Sequence, residues 1–354
     1  MDMTDFDSPL PDWLSKTFPA KAATKLYSSV IRYRNNRYER DLSLSFKVNR
    51  KVISVGGIRA GGTGKTPAAI MVGQYLESKN LPLAFLSRGY KRKEKGYRII
   101  LPNEKTDWEQ IGDEPAMIHD QLPQSWLGIG PDRVRNAQCL SEITPKKTVF
   151  ILDDGFQHRR LKRDLDIVCI NESTLNDRLL PQGYLRENIS SLQRAHVLFL
   201  TGSADRCSAL ESVMAKLQTM FPHLHSFIII HEPQFWKNVK TGEISQNLPL
   251  ENPVAICGIA NPQRFFRILD AQGIEPCKKK GFPDHYNYTE HDIRSMHKLY
   301  SSGVVTTEKD MYRLQKFNVV MDFEFWYLKI RSRFLNADSL NRFNKLLDKI
   351  VLNT

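Results

Sequence analysis

The 354-residue sequence has few cysteines, no excess of acidic residues and no long hydrophobic run. Its 5 cysteines are widely spaced, and neither a Cys-x-x-Cys pair nor a zinc-like Cys/His spacing occurs. These absences exclude a disulfide scaffold and a zinc module. No segment approaches about 18 consecutive apolar residues, which excludes a membrane-spanning helix. The first residues are acidic and contain proline without an apolar stretch, so we expect no secretory signal and a cytoplasmic protein.

The net charge is strongly positive. Lysine and arginine total 51 against 39 acidic residues, which gives a formal net charge of +12. Such an excess suggests a polyanionic partner, which is a nucleic acid, an anionic membrane surface or a phosphorylated substrate. No zinc finger, helix-turn-helix pattern or aromatic RNA-binding motif is present, so we do not expect a nucleic acid.

The first 50 residues contain an amphipathic segment. Residues 13–40 read as a helix in which Leu26, Val30 and Tyr33 recur at helical spacing. Between residues 21 and 40 there are six basic residues and a single acid. The apolar face is widened by Tyr27, Ile31 and Tyr38. The segment alone leaves two interpretations open, a helix packed on the protein with a solvated basic face, or a helix lying in an anionic membrane interface.

From residue 51 onward, short β-branched runs alternate with helical stretches. This alternation predicts an α/β fold with a parallel sheet covered by helices on both faces. The predicted helices begin near residues 67, 114 and 133 and cover 262–272, 290–300 and 308–316. The predicted strands are 52–55, 83–86, 149–152, 167–170, 197–200, 227–230, 254–257, 304–306 and 323–330.

A glycine-rich loop follows the first predicted strand. Its residues are Gly61, Gly62, Thr63, Gly64, Lys65, Thr66 and Pro67. Glycines let backbone N–H groups close around phosphates, the lysine reaches the β- and γ-phosphate oxygens, and the threonine can bind Mg²⁺. The usual first glycine of the motif is replaced by Arg59, whose side chain must point away from the phosphates or contact one directly. The loop predicts binding of ATP.

A pair of carboxylates ends a later strand. Asp153 and Asp154 follow the apolar run 148–152, as expected of residues that bind Mg²⁺ beside a phosphate loop. Without the loop, a capped turn would explain the pair equally well. Together with Thr66 they form the predicted Mg²⁺ site.

Nine short blocks then occur in a fixed order. They are GGTGKTP at 61–67, LSRGY at 86–90, GDEP at 112–115, GPDR at 130–133, DDGFQH at 153–158, LPQGYLRE at 180–187, GIANP at 258–262, FPDH at 282–285 and TTEKD at 306–310. This series, which extends over roughly residues 13–320, resembles the tetraacyldisaccharide 4′-kinases, also called lipid A 4′-kinases or LpxK. DDGFQH and LPxGxLRE are far more specific than a phosphate loop.

The resemblance implies a two-lobed lipid kinase. Such an enzyme transfers the γ-phosphate of ATP to the 4′-hydroxyl of tetraacyldisaccharide 1-phosphate and forms lipid IVA in lipid A biosynthesis. It implies an enzyme bound peripherally to the cytoplasmic face of the inner membrane of a Gram-negative bacterium. We expect a monomer, although the resemblance leaves the oligomeric state open. A lipid acceptor favours membrane docking by the N-terminal helix. We therefore divide the chain into a docking segment (1–50), a P-loop kinase domain (51–222) and a smaller α/β lobe (223–354).

The resemblance also implies residue roles. Asp113 matches the proposed catalytic base and His285 its partner from the second lobe, with Lys65 acting on the phosphates. Taken alone, Asp113 reads as a helix cap and His285 as an ordinary loop histidine. If the pair meets across the cleft, closure of the lobes is expected to bring it together. Further substrate contacts are expected from Arg88, Tyr90, His158, Arg186 and Glu187.

Two other functions fit parts of the sequence. One is a P-loop kinase or NTPase with a different membrane or sugar substrate, and the other is a nucleotide-switched scaffold at a membrane. Retained cellular function after loss of Asp113 would favour the scaffold.

Overall fold

The computed structural model describes residues 9–10, 12–90, 92–297, 303–317, 320 and 324–352, without the side chains of residues 12, 13, 296 and 297. Three predicted features lie outside this description. They are the acidic N-terminal segment 1–8, the strand residue Phe323 and the helix residues 298–300. Across the part of the chain that is described, no helix has the length and apolarity needed to cross a membrane.

Helices and strands alternate through most of the described chain. The helices are α1 (Asp12–Ser15), α2 (Phe18–Arg40), α3 (Lys65–Ser78), α4 (Trp108–Ile111), α5 (Asp113–Gln121), α6 (Arg133–Ile143), α7 (Cys207–Met220), α8 (Pro262–Ala271), α9 (Glu290–His297), α10 (Glu308–Leu314) and α11 (Ala337–Val351). The strands are β1 (Val52–Gly56), β2 (Leu83–Ser87), β3 (Arg98–Ile100), β4 (Trp126–Ile129), β5 (Val149–Asp153), β6 (Leu165–Ile170), β7 (Val197–Gly202), β8 (His225–Asn238), β9 (Ile244–Ser245), β10 (Val254–Cys257), β11 (Lys278–Gly281), β12 (Val304–Thr307) and β13 (Phe325–Phe334). Short 3₁₀ helices occupy Leu42–Leu44, Glu172–Asn176, Ile189–Arg194 and Ala204–Arg206.

The 13 described strands form one sheet. Its strand order is β11-β10-β12-β13-β8-β7-β6-β1-β5-β2-β4-β3, with β9 paired to β8. Most neighbours are parallel, whereas β3 and β4, β8 and β9, and β8 and β13 are antiparallel. The first half of β8 pairs with β7 and its second half pairs with β13, so this strand joins the two halves of the sheet. The predicted α/β class is confirmed.

Both faces of the sheet are buried, which explains the continuous apolar runs of its central strands. Successive residues of a strand point to opposite faces. On β6, Ile167 and Cys169 accordingly join the core beneath α3 and α5, whereas Val168 and Ile170 join the core beneath α7.

The C-terminal helix α11 returns to the first half of the molecule. Phe343 lies 5.1 Å from Phe199 and 5.6 Å from Phe227 between ring centroids, and Tyr75 of α3 donates a 2.8 Å hydrogen bond to Asp348. Helix α11 therefore packs on the half of the molecule that carries the glycine-rich loop. The division of the chain at residue 222 stays a prediction.

The N-terminal helix α2 has its faces arranged differently from the prediction. Ile31 is buried and Tyr27 packs against the core under α7, so these residues face the protein. Leu26 and Tyr33 point outward and are 68% and 71% exposed. The prediction that all of them form one apolar face is wrong, because the side of α2 that meets the protein is selected by polar contacts as well as by apolar residues.

Candidate active site

The glycine-rich loop lies between β1 and the first turn of α3. Gly61, Gly62 and Gly64 have positive φ angles of 67°, 46° and 73°, a conformation that favours glycine. The backbone therefore curls ahead of the helix, and Lys65 and Thr66 are the first two residues of α3. Pro67 lies within the first turn, where its missing N–H has no partner to lose. This geometry presents backbone donors and a helix N-terminus to an anion.

His231 of β8 packs directly against this loop. A Cβ on Gly64 would lie 2.4 Å from His231 Nε2, so a larger residue at position 64 is excluded. The imidazole is buried, Nδ1 lies 2.8 Å from Ser332 Oγ, and Nε2 has no hydrogen-bond partner among the described residues. Burial holds the pKa of His231 well below its usual range, so the ring is neutral.

The side chain of Arg59 points out of the phosphate loop. Its Nε donates a 2.7 Å hydrogen bond to Asp177, and its guanidinium lies 4.4 Å from the centroid of the Tyr184 ring. The arginine thus attaches the loop to the segment that carries the LPQGYLRE block. Its side chain does not occupy the space that residues 61–67 offer to a phosphate.

Asp153 and Asp154 lie at the carboxyl end of β5, next to β1. Lys65 Nζ lies 3.8 Å from Asp154 Oδ1, and Arg186 donates a 2.6 Å hydrogen bond to Asp154 Oδ2. Asp154 has a positive φ of 49°, a strained conformation for a residue other than glycine. Burial raises the pKa of Asp153 well above its usual range, with help from the charges of Glu114 and Asp154. Burial opposes ionisation of Asp154 too, but Arg186 and Lys65 hold its pKa below its usual range.

Asp113 and His285 are in direct contact across the cleft. Asp113 begins α5, and its Oδ2 lies 3.0 Å from His285 Nδ1, whereas its Oδ1 accepts a 3.0 Å hydrogen bond from the Glu114 N–H. His285 has a positive φ of 56° and donates its backbone N–H to Gly258. The two residues are 172 positions apart in sequence.

The buried Asp113 carboxylate lies near the His285 imidazole, the Arg313 guanidinium and the Lys309 ammonium. Arg313 Nε lies 3.7 Å from Asp113 Oδ2, and Lys309 Nζ lies 3.0 Å from His285 Nε2. Burial alone would raise the pKa of Asp113, but the hydrogen bond from His285 and the charge of Lys309 hold it well below its usual range. Asp113 is therefore a charged carboxylate at neutral pH.

A cavity of about 820 Å³ lies between the two halves of the molecule. Residues 61–67 line one side, and Asp284, His285 and Lys309 line the other. Asp153 and Asp154 are part of its wall, and Asp113 lies immediately behind His285. The structure thus brings the phosphate loop, the paired carboxylates and the Asp113–His285 pair to one cleft.

The five predicted substrate contacts separate into two groups. Arg88, Tyr90 and Arg186 line the cavity, and the Tyr90 ring meets the His285 ring edge-on at 5.4 Å. Glu187 is fully buried outside the cavity wall. His158 also lies outside the wall, and burial lowers its pKa to about 3, with a smaller contribution from the charge of Arg133.

Glu187 fastens the N-terminal helix to the site. It accepts hydrogen bonds from Asn35 of α2 at 2.6 Å, from Arg194 at 2.7 Å and from Gln157 at 2.9 Å. Gln157 also donates to the carbonyl of Gly57 at 2.9 Å, just before the phosphate loop. Through Gln157, which lines the cavity, Glu187 therefore connects α2 to the cavity wall.

Two residues of the cleft were not predicted to be functional. His231 lies within an apolar strand and has no local sequence feature that would reveal its contact with Gly64. Lys309 does have one, because a lysine in the first turn of a helix is unfavourable for the helix dipole. Its position inside the TTEKD block therefore indicates a role other than helix stability.

Comparison with known proteins identifies the family. The family described as tetraacyldisaccharide-1-P 4′-kinase (LpxK) matches residues 20–351. A tetraacyldisaccharide 4′-kinase of Chlorobaculum parvum is 35% identical, with 85% of each chain covered. One of Porphyromonas gingivalis is 32% identical over 89% of this chain and 92% of its own. The solved structure of LpxK from Aquifex aeolicus in complex with ATP matches with a TM-score of 0.72 and 30% identity, covering 93% of this chain and 98% of that chain. These matches confirm the resemblance read from the sequence blocks, and the chain belongs to the tetraacyldisaccharide-1-P 4′-kinase family.

Proposed function

We propose that this enzyme transfers the γ-phosphate of ATP to the 4′-hydroxyl of tetraacyldisaccharide 1-phosphate, which yields lipid IVA for lipid A biosynthesis. Family membership supports the reaction and the acceptor. One observation carries the proposal for the site, namely that the phosphate loop and the Asp113–His285 pair meet at one cleft. Phosphoryl transfer needs both groups together, because catalysis rests on positioning and charge stabilisation.

The phosphate loop accounts for the ATP half of the reaction. Backbone donors of residues 61–64 and the N-terminus of α3 face the phosphates, and Lys65 neutralises charge on the β- and γ-phosphate oxygens. The Lys65 ammonium lies 3.8 Å from Asp154 Oδ1, beyond hydrogen-bond distance, and so is able to donate to a phosphate.

Mg²⁺ would be held by Thr66, Asp153 and Asp154. Oδ1 of Asp153 and Oδ1 of Asp154 are buried and have no hydrogen-bond partner among the described residues, which suits a cation with oxygen ligands. No cluster of three His, Cys, Asp or Glu side chains suited to a metal occurs in the described part of the chain. One or two carboxylates are enough for Mg²⁺, because it keeps several waters. When bound, the ion neutralises charge on the β- and γ-phosphates.

Asp113 accounts for the acceptor half. As the 4′-oxygen attacks the γ-phosphorus, the bond from that phosphorus to the bridging oxygen breaks and ADP leaves. The hydroxyl proton passes to the Asp113 carboxylate, which His285 holds in place through the 3.0 Å contact. The cations around Asp113 keep it charged before transfer. Arg88, Tyr90 and Arg186 are positioned along the cavity to contact the substrates.

The outer face of α2 is suited to a membrane surface. Phe18, Leu26 and Tyr33 are exposed there, beside the outward-facing cations Lys25, Arg32 and Arg37. Apolar side chains interleaved with cations bind the interface of an anionic bilayer. We assign the protein to the cytoplasmic face of the inner membrane, bound peripherally as a monomer, where its acceptor lipid would lie.

The test is a transfer assay with γ-labelled ATP, Mg²⁺ and detergent-dispersed tetraacyldisaccharide 1-phosphate. We expect label in the lipid, located on the 4′-oxygen by mass spectrometry, and about a hundredfold loss or more in Lys65→Ala. Labelled inorganic phosphate without labelled lipid would refute the acceptor, and label elsewhere on the sugar would refute the 4′ assignment. Arg333→Ala, which removes an exposed cation paired with Glu232 and outside the cavity wall, is the control for a general loss of positive charge.

A further inference from the structure

Lys309 occupies an unusual position at the cleft. It is the second residue of α10, where a cation opposes the helix dipole. Its Nζ lies 3.0 Å from His285 Nε2, 3.5 Å from Glu114 Oε1 and 3.7 Å from Asp284 Oδ1. The ammonium group therefore meets the one ring nitrogen of His285 that does not face Asp113.

The two contacts of His285 determine where its proton lies. An ammonium group has only donors, so Nε2 must accept from Lys309 and carries no hydrogen. The proton of a neutral imidazole is then on Nδ1, where it is donated to Asp113 Oδ2. The other tautomer would place two donors against each other at Nε2 and two acceptors against each other at Nδ1.

The surroundings keep Lys309 charged. Burial favours the neutral amine, but the carboxylates of Glu114, Asp113 and Asp284 outweigh it and raise the pKa of Lys309 to about 12. Arg313 opposes this effect only in part. A permanent donor thus faces Nε2 over the whole range of pH in which an enzyme is assayed.

We propose that Lys309 is a positioning residue that fixes His285 in its Nδ1–H tautomer and so directs its proton to Asp113. The inference rests on the proposed function, in which Asp113 is the base. With Nε2 occupied by Lys309, the imidazole does not take the acceptor proton, and the Asp113 carboxylate receives it. An imidazole in the wrong tautomer supports catalysis poorly even where its position is unchanged.

A spectroscopic experiment tests the tautomer directly. Long-range ¹H–¹⁵N correlation spectra of deuterated protein with ¹⁵N-labelled histidine distinguish protonated from unprotonated ring nitrogens, and His285→Gln identifies the His285 resonances. We expect a protonated Nδ1 and an accepting Nε2 in the wild-type protein, and a gain of the Nε2–H tautomer in Lys309→Met. A wild-type proton on Nε2, or an unchanged tautomer in Lys309→Met, would overturn the proposal.

Kinetics provide a second readout. We expect kcat to fall at least about tenfold in Lys309→Met with the KM for ATP changed less than about threefold, and Lys309→Arg to recover most of the loss because a guanidinium also only donates. The matched control is Lys329→Met, which removes a half-buried lysine paired with Glu308 of the same helix α10 but does not touch His285. Equal losses of kcat in the two methionine variants would show a structural role and overturn the proposal. If the wild-type enzyme fails to phosphorylate the lipid, the proposed function falls, whereas the spectra still decide the role of Lys309.

Discussion

Asp113 and Asp153 lie at the same cleft and are almost equally buried, at 6% and 3% exposure. Their surroundings differ in charge. Asp113 is in contact with His285 and close to Arg313, and its pKa is held below the usual range. Asp153 is close to Glu114 and Asp154, and its pKa is raised. Burial alone therefore does not decide the protonation state of a cleft carboxylate, because the neighbouring charges determine the outcome.

The difference between the two carboxylates suits their proposed roles. A base must be charged before the hydroxyl arrives, and Lys309 and Arg313 of α10 supply that condition for Asp113 together with His285. A metal-binding carboxylate is stabilised by its cation, and Oδ1 of Asp153 has no hydrogen-bond partner among the described residues. The charge of Asp113 is thus compensated by side chains of the protein itself, whereas Asp153 is left available to a bound cation.

Replacing each of the two aspartates separately by asparagine should separate the sites most clearly, because only the loss of Asp113 is expected to destabilise the fold. Asp113→Asn leaves nearby cations without their buried partner and should lower the free energy of unfolding by about 3 kcal/mol. Asp153→Asn removes a carboxylate whose charge the fold disfavours, so stability should be unchanged or higher. Chemical denaturation of both variants at neutral pH and without Mg²⁺ measures the two changes. Equal destabilisation by both substitutions would refute the contrast between the sites.

A smaller effect is expected when the pH is lowered. Because the pKa of Asp113 is depressed in the folded protein, its stabilising contribution is complete above the ordinary unfolded pKa of about 3.9 and is lost as pH falls through the folded value. The gap in unfolding free energy between wild type and Asp113→Asn should stay constant from about pH 7 to pH 5 and shrink by on the order of 1 kcal/mol toward pH 3.5. Urea titrations of both proteins across this range provide the test. A gap that widens toward acid would mean that the sign of the shift is wrong.

The smallest effect is expected from Arg59, a cation that contacts neither Asp113 nor Asp153. Arg59 is paired with Asp177 outside the phosphate cradle, so Arg59→Ala should cost about 1 kcal/mol of stability and change the affinity for ATP less than about threefold. Titration calorimetry with ATP and Mg²⁺, with Lys65→Ala as the comparison, checks this expectation. A loss of affinity as large as that of Lys65→Ala would show that Arg59 reaches the phosphates.

Local patterns in the sequence predicted the parts of the site that are local in the chain. The phosphate loop and the Asp153–Asp154 pair each lie within a few residues of a strand end, where strand, turn and helix propensities agree. All nine predicted strands are present, although β8 continues past Ile230 to Asn238. Strand β11 was not predicted, because three lysines and a glycine are unusual in a strand and are tolerated here at the edge of the sheet.

Residues that act through distant partners were less predictable. The contact between Asp113 and His285 spans 172 positions and followed only from the resemblance of the GDEP and FPDH blocks to a known family. The grouping of the apolar residues of α2 on one face was predicted wrongly, since helical periodicity does not reveal that Asn35 donates a hydrogen bond to Glu187. The contact of His231 with Gly64 depends on which strands the sheet brings together, and no local sequence feature reveals it. For Lys309 the one local signal is its unfavourable place in the first turn of a helix, which does not name its partner.

In the proposed mechanism Asp113 is the charged base of phosphate transfer and not a structural carboxylate. The most direct measurement is the kcat of Asp113→Ala for lipid phosphorylation together with its affinity for ATP and Mg²⁺. We predict a fall in kcat of about a thousandfold with nucleotide affinity within about threefold of the wild type. A variant that binds ATP normally and transfers phosphate within about tenfold of the wild-type rate would show that Asp113 is not the base.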